Sequence, residues 1–167
     1  DYNALCLAKQ LVKVDQDNPQ KITLVAHSMG GPVSRACIAQ NYDGCRDKVS
    51  RLFTLGSPHA GLAPGYILPF HPKAQPGLYD LSKNKMGGAQ GFNDLNRNRS
   101  GINYMFLGGD AWFGQSDKPV ERTSAVGWIN VQGDLDPSGW DGCPPLTSCN
   151  NGPDRFWTNE NHEQYFK

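Results

Sequence analysis

Leu5, Ala8, Leu11 and Val12 recur at helical spacing across residues 4–14, with Lys9 and Lys13 off that face. The spacing predicts an amphipathic helix, which Asp17-Asn18-Pro19 stops. Ile22-Thr23-Leu24-Val25-Ala26 is a short apolar and β-branched run, the pattern of a strand covered on both faces. A second helix is expected over residues 31–40. Pro32 is tolerated there because a first-turn N–H has no intrahelical partner, and Tyr42-Asp43-Gly44 closes the helix. Leu52-Phe53-Thr54-Leu55 is the next strand. Helix, strand, helix, strand is the order of an α/β fold: a mostly parallel sheet with helices on its faces.

From Gly56 to Gly101 this regularity breaks. Prolines 58, 64, 69, 72 and 76 interrupt the first part, and Gly87, Gly88 and Gly91 loosen the second. Within it, Phe92-Asn93-Asp94-Leu95-Asn96 reads as a helical turn. Strands are expected again at 102–107 and 128–131, and the last 34 residues read as loop-rich.

Composition narrows the function. A length of 167 residues suits one domain, here 1–167. Sixteen Lys and Arg balance sixteen Asp and Glu, so the chain lacks the basic footprint that nucleic acid or an anionic membrane surface requires. No apolar run approaches the ~20 residues of a membrane span. Of the five cysteines, Cys37 and Cys45 bracket one short loop and Cys143 and Cys149 another, with Cys6 left over. Two short-loop disulfides are expected, and with them a secreted or lumenal location. No phosphate loop, dinucleotide fingerprint or H-E-x-x-H motif is present.

The densest chemical signal is Ala26-His27-Ser28-Met29-Gly30-Gly31, between the first predicted strand and the second predicted helix. It is a form of the G-x-S-x-G nucleophile elbow. A serine hydroxyl is a weak nucleophile and has to project from a sharp turn to meet a general base. Small residues two before and two after it let strand and helix approach, and the N–H of Met29 then aims at a developing oxyanion.

At this point the sequence resembles the α/β-hydrolases, and among them bacterial triacylglycerol lipases and esterases. Val25-Ala26-His27-Ser28-Met29-Gly30-Gly31-Pro32 is similar to their elbow. Leu55-Gly56-Ser57-Pro58-His59-Ala60-Gly61 is similar to the G-[SA]-P-H-x-G at the end of their following strand. Phe92-Asn93-Asp94-Leu95-Asn96 resembles the F-L-x-x-L-N element ahead of their acid-bearing strand. The resemblance implies an α/β-hydrolase-type sheet with a loop-rich cap insertion at about 58–100. It implies hydrolysis of lipid or acyl esters through a Ser-Asp-His triad and an acyl-enzyme.

In this fold the triad runs Ser, acid, His. His27 adjoins Ser28 and diverges from it, and His59 and His71 precede every plausible acid, which leaves His162 as the base. The acid has four candidates. Asp141 ranks first, because Asp141-Gly142-Cys143-Pro144-Pro145-Leu146-Thr147-Ser148 is similar to the D-G-x-V-P-x-x-S acid segment of larger bacterial lipases. Pro144, where those enzymes carry an aliphatic residue, is a departure. Asp136 ranks second, ahead of Asp110 and Asp134, which like it follow predicted strands.

By the same resemblance, His27, Leu62, Tyr66, Leu68 and Phe70 are the substrate-binding candidates, the last four on an apolar cap facing an acyl chain at an oil–water interface. No cofactor or metal is expected: where some relatives place a calcium-binding Asp two residues past the base, this chain has Gln164. Such enzymes take a second oxyanion donor from a loop after an early strand. Only 27 residues precede Ser28 and they hold one helix and one strand, so the chain is expected to be the C-terminal portion of its domain. Two alternatives stay open: a thioesterase or acyltransferase with the same triad, and a non-catalytic, truncated hydrolase domain.

Overall fold

The computed structural model describes residues 2–62, 76–87, 90–96, 101–109, 120 and 154–158. Ala4, Ala8 and Leu11 are the buried stripe of α1 (Tyr2–Asp17), at the i, i+4, i+7 spacing of one helical face. β1 (Ile22–His27) leads into α2 (Gly30–Gln40). Asn41 caps α2 in the left-handed conformation at φ 53°, its N–H bonded to the Ile38 carbonyl at 3.2 Å. A 3₁₀ turn at Tyr42–Gly44 and the single turn α3 (Cys45–Lys48) then deliver the chain to β2 (Val49–Leu55). Three short helices follow, α4 (Pro76–Asp80), α5 (Lys83–Met86) and α6 (Phe92–Leu95). The sheet is completed by β3 (Asn103–Gly109) and β4 (Asp154–Thr158).

The described strands form one sheet in the order β1-β2-β3-β4, and every neighbouring pair is parallel. Val25, Phe53 and Met105 stand side by side in register, as do Ala26, Thr54 and Phe106, so the two sets lie on opposite faces. The second face is the core. Leu52, Thr54 and Phe106 are fully buried there, and they share the core with Ala8 and Leu11 of α1 and Ala36, Cys37 and Ile38 of α2.

The other face corrects one sequence expectation. Among the described residues β1 is covered on one face only: Val25 is 64% exposed, and Met105, on the same face in β3, 37%. Among the described residues, α2 packs against the Thr54 face, so the hydrophobic run of β1 has only one cover. The sequence pattern also misses β4, which falls inside the stretch read as loop-rich. Phe156, Trp157 and Thr158 are strand formers bounded by Asn, Gly and Pro, but Asp154-Arg155-Phe156-Trp157-Thr158 lacks an alternating period and is too short to stand out from the residues around it. The predicted strand at 128–131 lies outside the described residues.

The predicted Cys37–Cys45 disulfide is present, joining α2 to α3, and Cys6 is free and exposed. Cys143 and Cys149 lie outside the described residues. Among those described, no helix is long and apolar enough to cross a membrane, and no three His, Cys, Asp or Glu side chains converge as metal ligands.

Candidate active site at the strand–helix elbow

Ser28 has φ 52°. That left-handed value is uncommon for a residue with a side chain, and it costs on the order of 1–3 kcal/mol, so it persists only where its surroundings enforce it. They do so from both ends. The Ser28 N–H donates to the Leu55 carbonyl of β2 at 3.1 Å, one step past the end of β1. The Ser28 carbonyl accepts from the Gly31 N–H of α2, also at 3.1 Å. Met29 is already helical (φ −57°, ψ −21°) and accepts the first i→i−4 bond, from Val33 at 3.2 Å. The Met29 N–H is therefore one of the first-turn donors without an intrahelical acceptor, at the positive end of the helix.

The small residues around Ser28 are not equivalent. A Cβ on Gly30 would stand 3.4 Å from the Ala26 Cβ, an ordinary contact. On Gly31 it would fall 2.5 Å from the Ser57 Cβ and 3.1 Å from the His59 Cε1. The space that has to be empty is therefore at Gly31, where the loop after β2 passes over the start of α2.

That loop brings in a buried polar cluster that the spacing of residues along the chain does not reveal. Gly56 and Gly61 have φ 50° and 97°, and between them Ser57, Pro58, His59 and Ala60 are buried. Arg35 Nη1 donates to the Asn93 Oδ1 at 2.9 Å and stands 3.4 Å from the His59 Nδ1. Arginine has no acceptor, so Nδ1 accepts and the ring proton sits on Nε2, donated to the Thr54 Oγ1 at 3.0 Å. Asn93 Nδ2 donates to the His59 carbonyl at 2.9 Å, and the His59 ring stacks on Phe106 with centroids 4.1 Å apart. Arg35 also lies over the Phe92 ring. Burial, and then the Arg35 charge, hold His59 well below the usual histidine range, so it stays neutral. The signal for this cluster is thin: Arg35 is the one charged residue in the eleven of α2, and His59 and Asn93 sit in the two segments noted above for their resemblance.

Of the sequence-predicted site residues, Ser28 and Met29 stand together at the elbow. His27 is half-buried at the end of β1 beside them. His59, set aside as a base on chain order, is fully buried and committed to Thr54 and Arg35. Leu62 is 4% exposed and part of the core, and its N–H bonds the Leu81 carbonyl at 2.8 Å. Tyr66, Leu68, Phe70, Asp110, Asp134, Asp136, Asp141 and His162 lie outside the described residues. One piece of the segment expected to form a cap does reach the elbow: a Cβ on Gly77 of α4 would stand 3.5 Å from the Met29 Sδ.

Comparison with known proteins agrees with this architecture. A family model described as a PGAP1-like alpha/beta domain matches residues 1–66, which hold both the elbow and the Gly-Ser-Pro-His loop. The crystal structure of the mature form of the Bacillus licheniformis lipase BlEst2 superposes with a TM-score of 0.63 at 20% identity, covering 96% of this chain and 66% of that one. The fold is that of the α/β-hydrolases. The propeptide form of the same lipase gives a TM-score of 0.61 at 23% identity, with 77% of this chain and 34% of that one covered. Among curated proteins, no sequence matches the chain significantly.

Proposed function

We propose that this chain is a serine carboxylic-ester hydrolase of the lipase and esterase kind, with Ser28 as its nucleophile. The observation that carries the reading is the backbone of Ser28: a non-glycine residue at φ 52°, between a parallel strand and a helix N-terminus. Strain of this kind persists where it aims a side chain. The lipase activity named for the superposed structure supports the same reading.

In the proposed reaction Ser28 Oγ attacks the ester carbonyl as His162 takes its proton. The tetrahedral oxyanion accepts from the Met29 N–H. As the intermediate collapses, His162 returns the proton to the leaving alkoxide, which departs as an alcohol. Water, deprotonated by His162, then releases the acid from the acyl-serine. In this reading His27 and the cap residues Tyr66, Leu68 and Phe70 flank the substrate, while Leu62, packed into the core, does not. The Cys37–Cys45 disulfide fits an oxidising, extracytosolic compartment.

A carboxylate orients His162. Asp141 carries the lipase-like segment, while sheet order adds weight to Asp110. All four described strands are parallel, so their C-terminal ends share the edge where Ser28 stands, which is where open α/β sheets place their sites. Asp110 directly follows β3, and His162 comes four residues after β4. Turnover of a short-chain p-nitrophenyl ester tests both points. Ser28→Ala and His162→Ala should each abolish it, and of Asp110→Asn and Asp141→Asn one should lower kcat by about 10⁴. Unchanged turnover in Ser28→Ala would dismiss the mechanism. Hydrolysis lost in wild type while acyl transfer to a thiol persists would favour the acyltransferase alternative.

A further inference from the structure

Ser28 keeps its left-handed backbone because two neighbours hold it, and a third residue spans those two. Leu55 of β2 fixes the Ser28 N–H, and Gly31 of α2 fixes its carbonyl. Thr54 precedes Leu55 in β2, and Arg35 lies one helical turn beyond Gly31 in α2. His59 bonds to both, through Nε2 to the Thr54 hydroxyl at 3.0 Å and through Nδ1 to the Arg35 guanidinium at 3.4 Å. Its ring also stands against Gly31, where a Cβ would meet Cε1 at 3.1 Å. Phe106 backs the other side of the ring, and Asn93 holds its carbonyl while itself held by Arg35. No part of His59 is exposed, so it cannot touch a substrate.

We infer that His59 is a positioning residue for Ser28: its ring, bridging Thr54 and Arg35, sets the spacing of β2 and α2 that keeps the serine in its strained, outward-aimed conformation. The inference rests on Ser28 being the nucleophile. Its mechanism is distance. The two carbonyl–amide bonds that anchor Ser28 come from different elements, so a change in their separation relaxes φ at Ser28 and moves Oγ away from its base. A displacement of about 1 Å at a reacting atom lowers turnover about 10²-fold.

The test compares His59→Phe with His59→Gln. Phenylalanine keeps the ring volume and the stack on Phe106 but bonds neither Thr54 nor Arg35. Glutamine places an amide N–H where Nε2–H stands. Each variant is assayed on a short-chain p-nitrophenyl ester, below its own melting temperature, with kcat expressed per fluorophosphonate-titratable site. The expected result is a fall of about 10²-fold in kcat for His59→Phe at unchanged KM, with His59→Gln recovering most of the loss. Equal kcat per site in His59→Phe and wild type would overturn the inference even if the variant melts earlier. If wild type neither turns over ester nor labels at Ser28, the nucleophile reading fails separately. Amide exchange at Gly31 then decides for His59: faster exchange in His59→Phe upholds its hold on the elbow, and unchanged exchange overturns it.

Discussion

At the scale of single residues, Gly31 and His59 account for the elbow as much as Ser28 does. Gly31 is the position where the loop after β2 and the helix after β1 compete for one volume. Gly31→Ala should lose about 1–3 kcal/mol to overpacking, while Gly30→Ala, with its nearest contact at 3.4 Å, should stay within about 0.5 kcal/mol of wild type. Urea unfolding midpoints at neutral pH distinguish the two. The motif in the sequence marks Gly30 as the important glycine; the contacts move that weight to its neighbour. His59 adds a pH dependence. Its folded-state pKa lies below the unfolded value of 6.5 because burial and Arg35 disfavour the imidazolium. The unfolded chain therefore takes up the proton first as pH falls. This contribution to stability is complete above about pH 6.5 and declines as pH drops below it, toward the folded pKa. The urea midpoint of wild type should fall more between pH 7.5 and pH 5 than that of His59→Gln, and parallel curves for the two proteins would contradict this.

At the scale of elements, the first half of the fold is legible in the sequence and the second half much less so. α1, β1, α2 and β2 are long enough, and regular enough in apolar spacing, for period and stop signals to locate them within a few residues. β4 is five residues among Asn, Gly and Pro, and its identity as a strand comes from pairing with β3, which no local pattern encodes. The one-sided cover of β1 is similarly a property of what packs around it. The turn between α2 and β2 shows the opposite case. Asn41, Asp43 and Gly44 all have positive φ, types of residue that tolerate it, and Cys37 and Cys45 sit eight apart across them. Both features are visible in the sequence. Closing so short a loop should contribute roughly 2–3 kcal/mol. A Cys37→Ala, Cys45→Ala double variant is expected to lose that amount in denaturant unfolding while keeping the same slope.

At the scale of the whole molecule, the four described strands form a parallel sheet that gathers its strand ends on one edge, and the candidate residues come next along the chain. Ser28 ends β1, the Gly-Ser-Pro-His loop ends β2, Asp110 follows β3, and His162 lies shortly after β4. The proposed order Ser, acid, His rests on motif and sequence position, and the same signals leave the carboxylate open among Asp141, Asp136, Asp110 and Asp134. That choice depends on how the segment between β3 and β4 returns to the sheet edge, a long-range matter with no local signature. The buried Arg35–His59–Asn93 cluster was hidden for the same reason, since its three members come from segments 24 and 34 residues apart. The central claim is that Ser28 is an activated nucleophile. A fluorophosphonate probe, with the adduct mapped by peptide mass spectrometry, tests it most directly. The account predicts a single adduct on Ser28, absent in Ser28→Ala and slowed in His162→Ala; no adduct in the folded wild-type chain, or labelling that survives in Ser28→Ala, would contradict it.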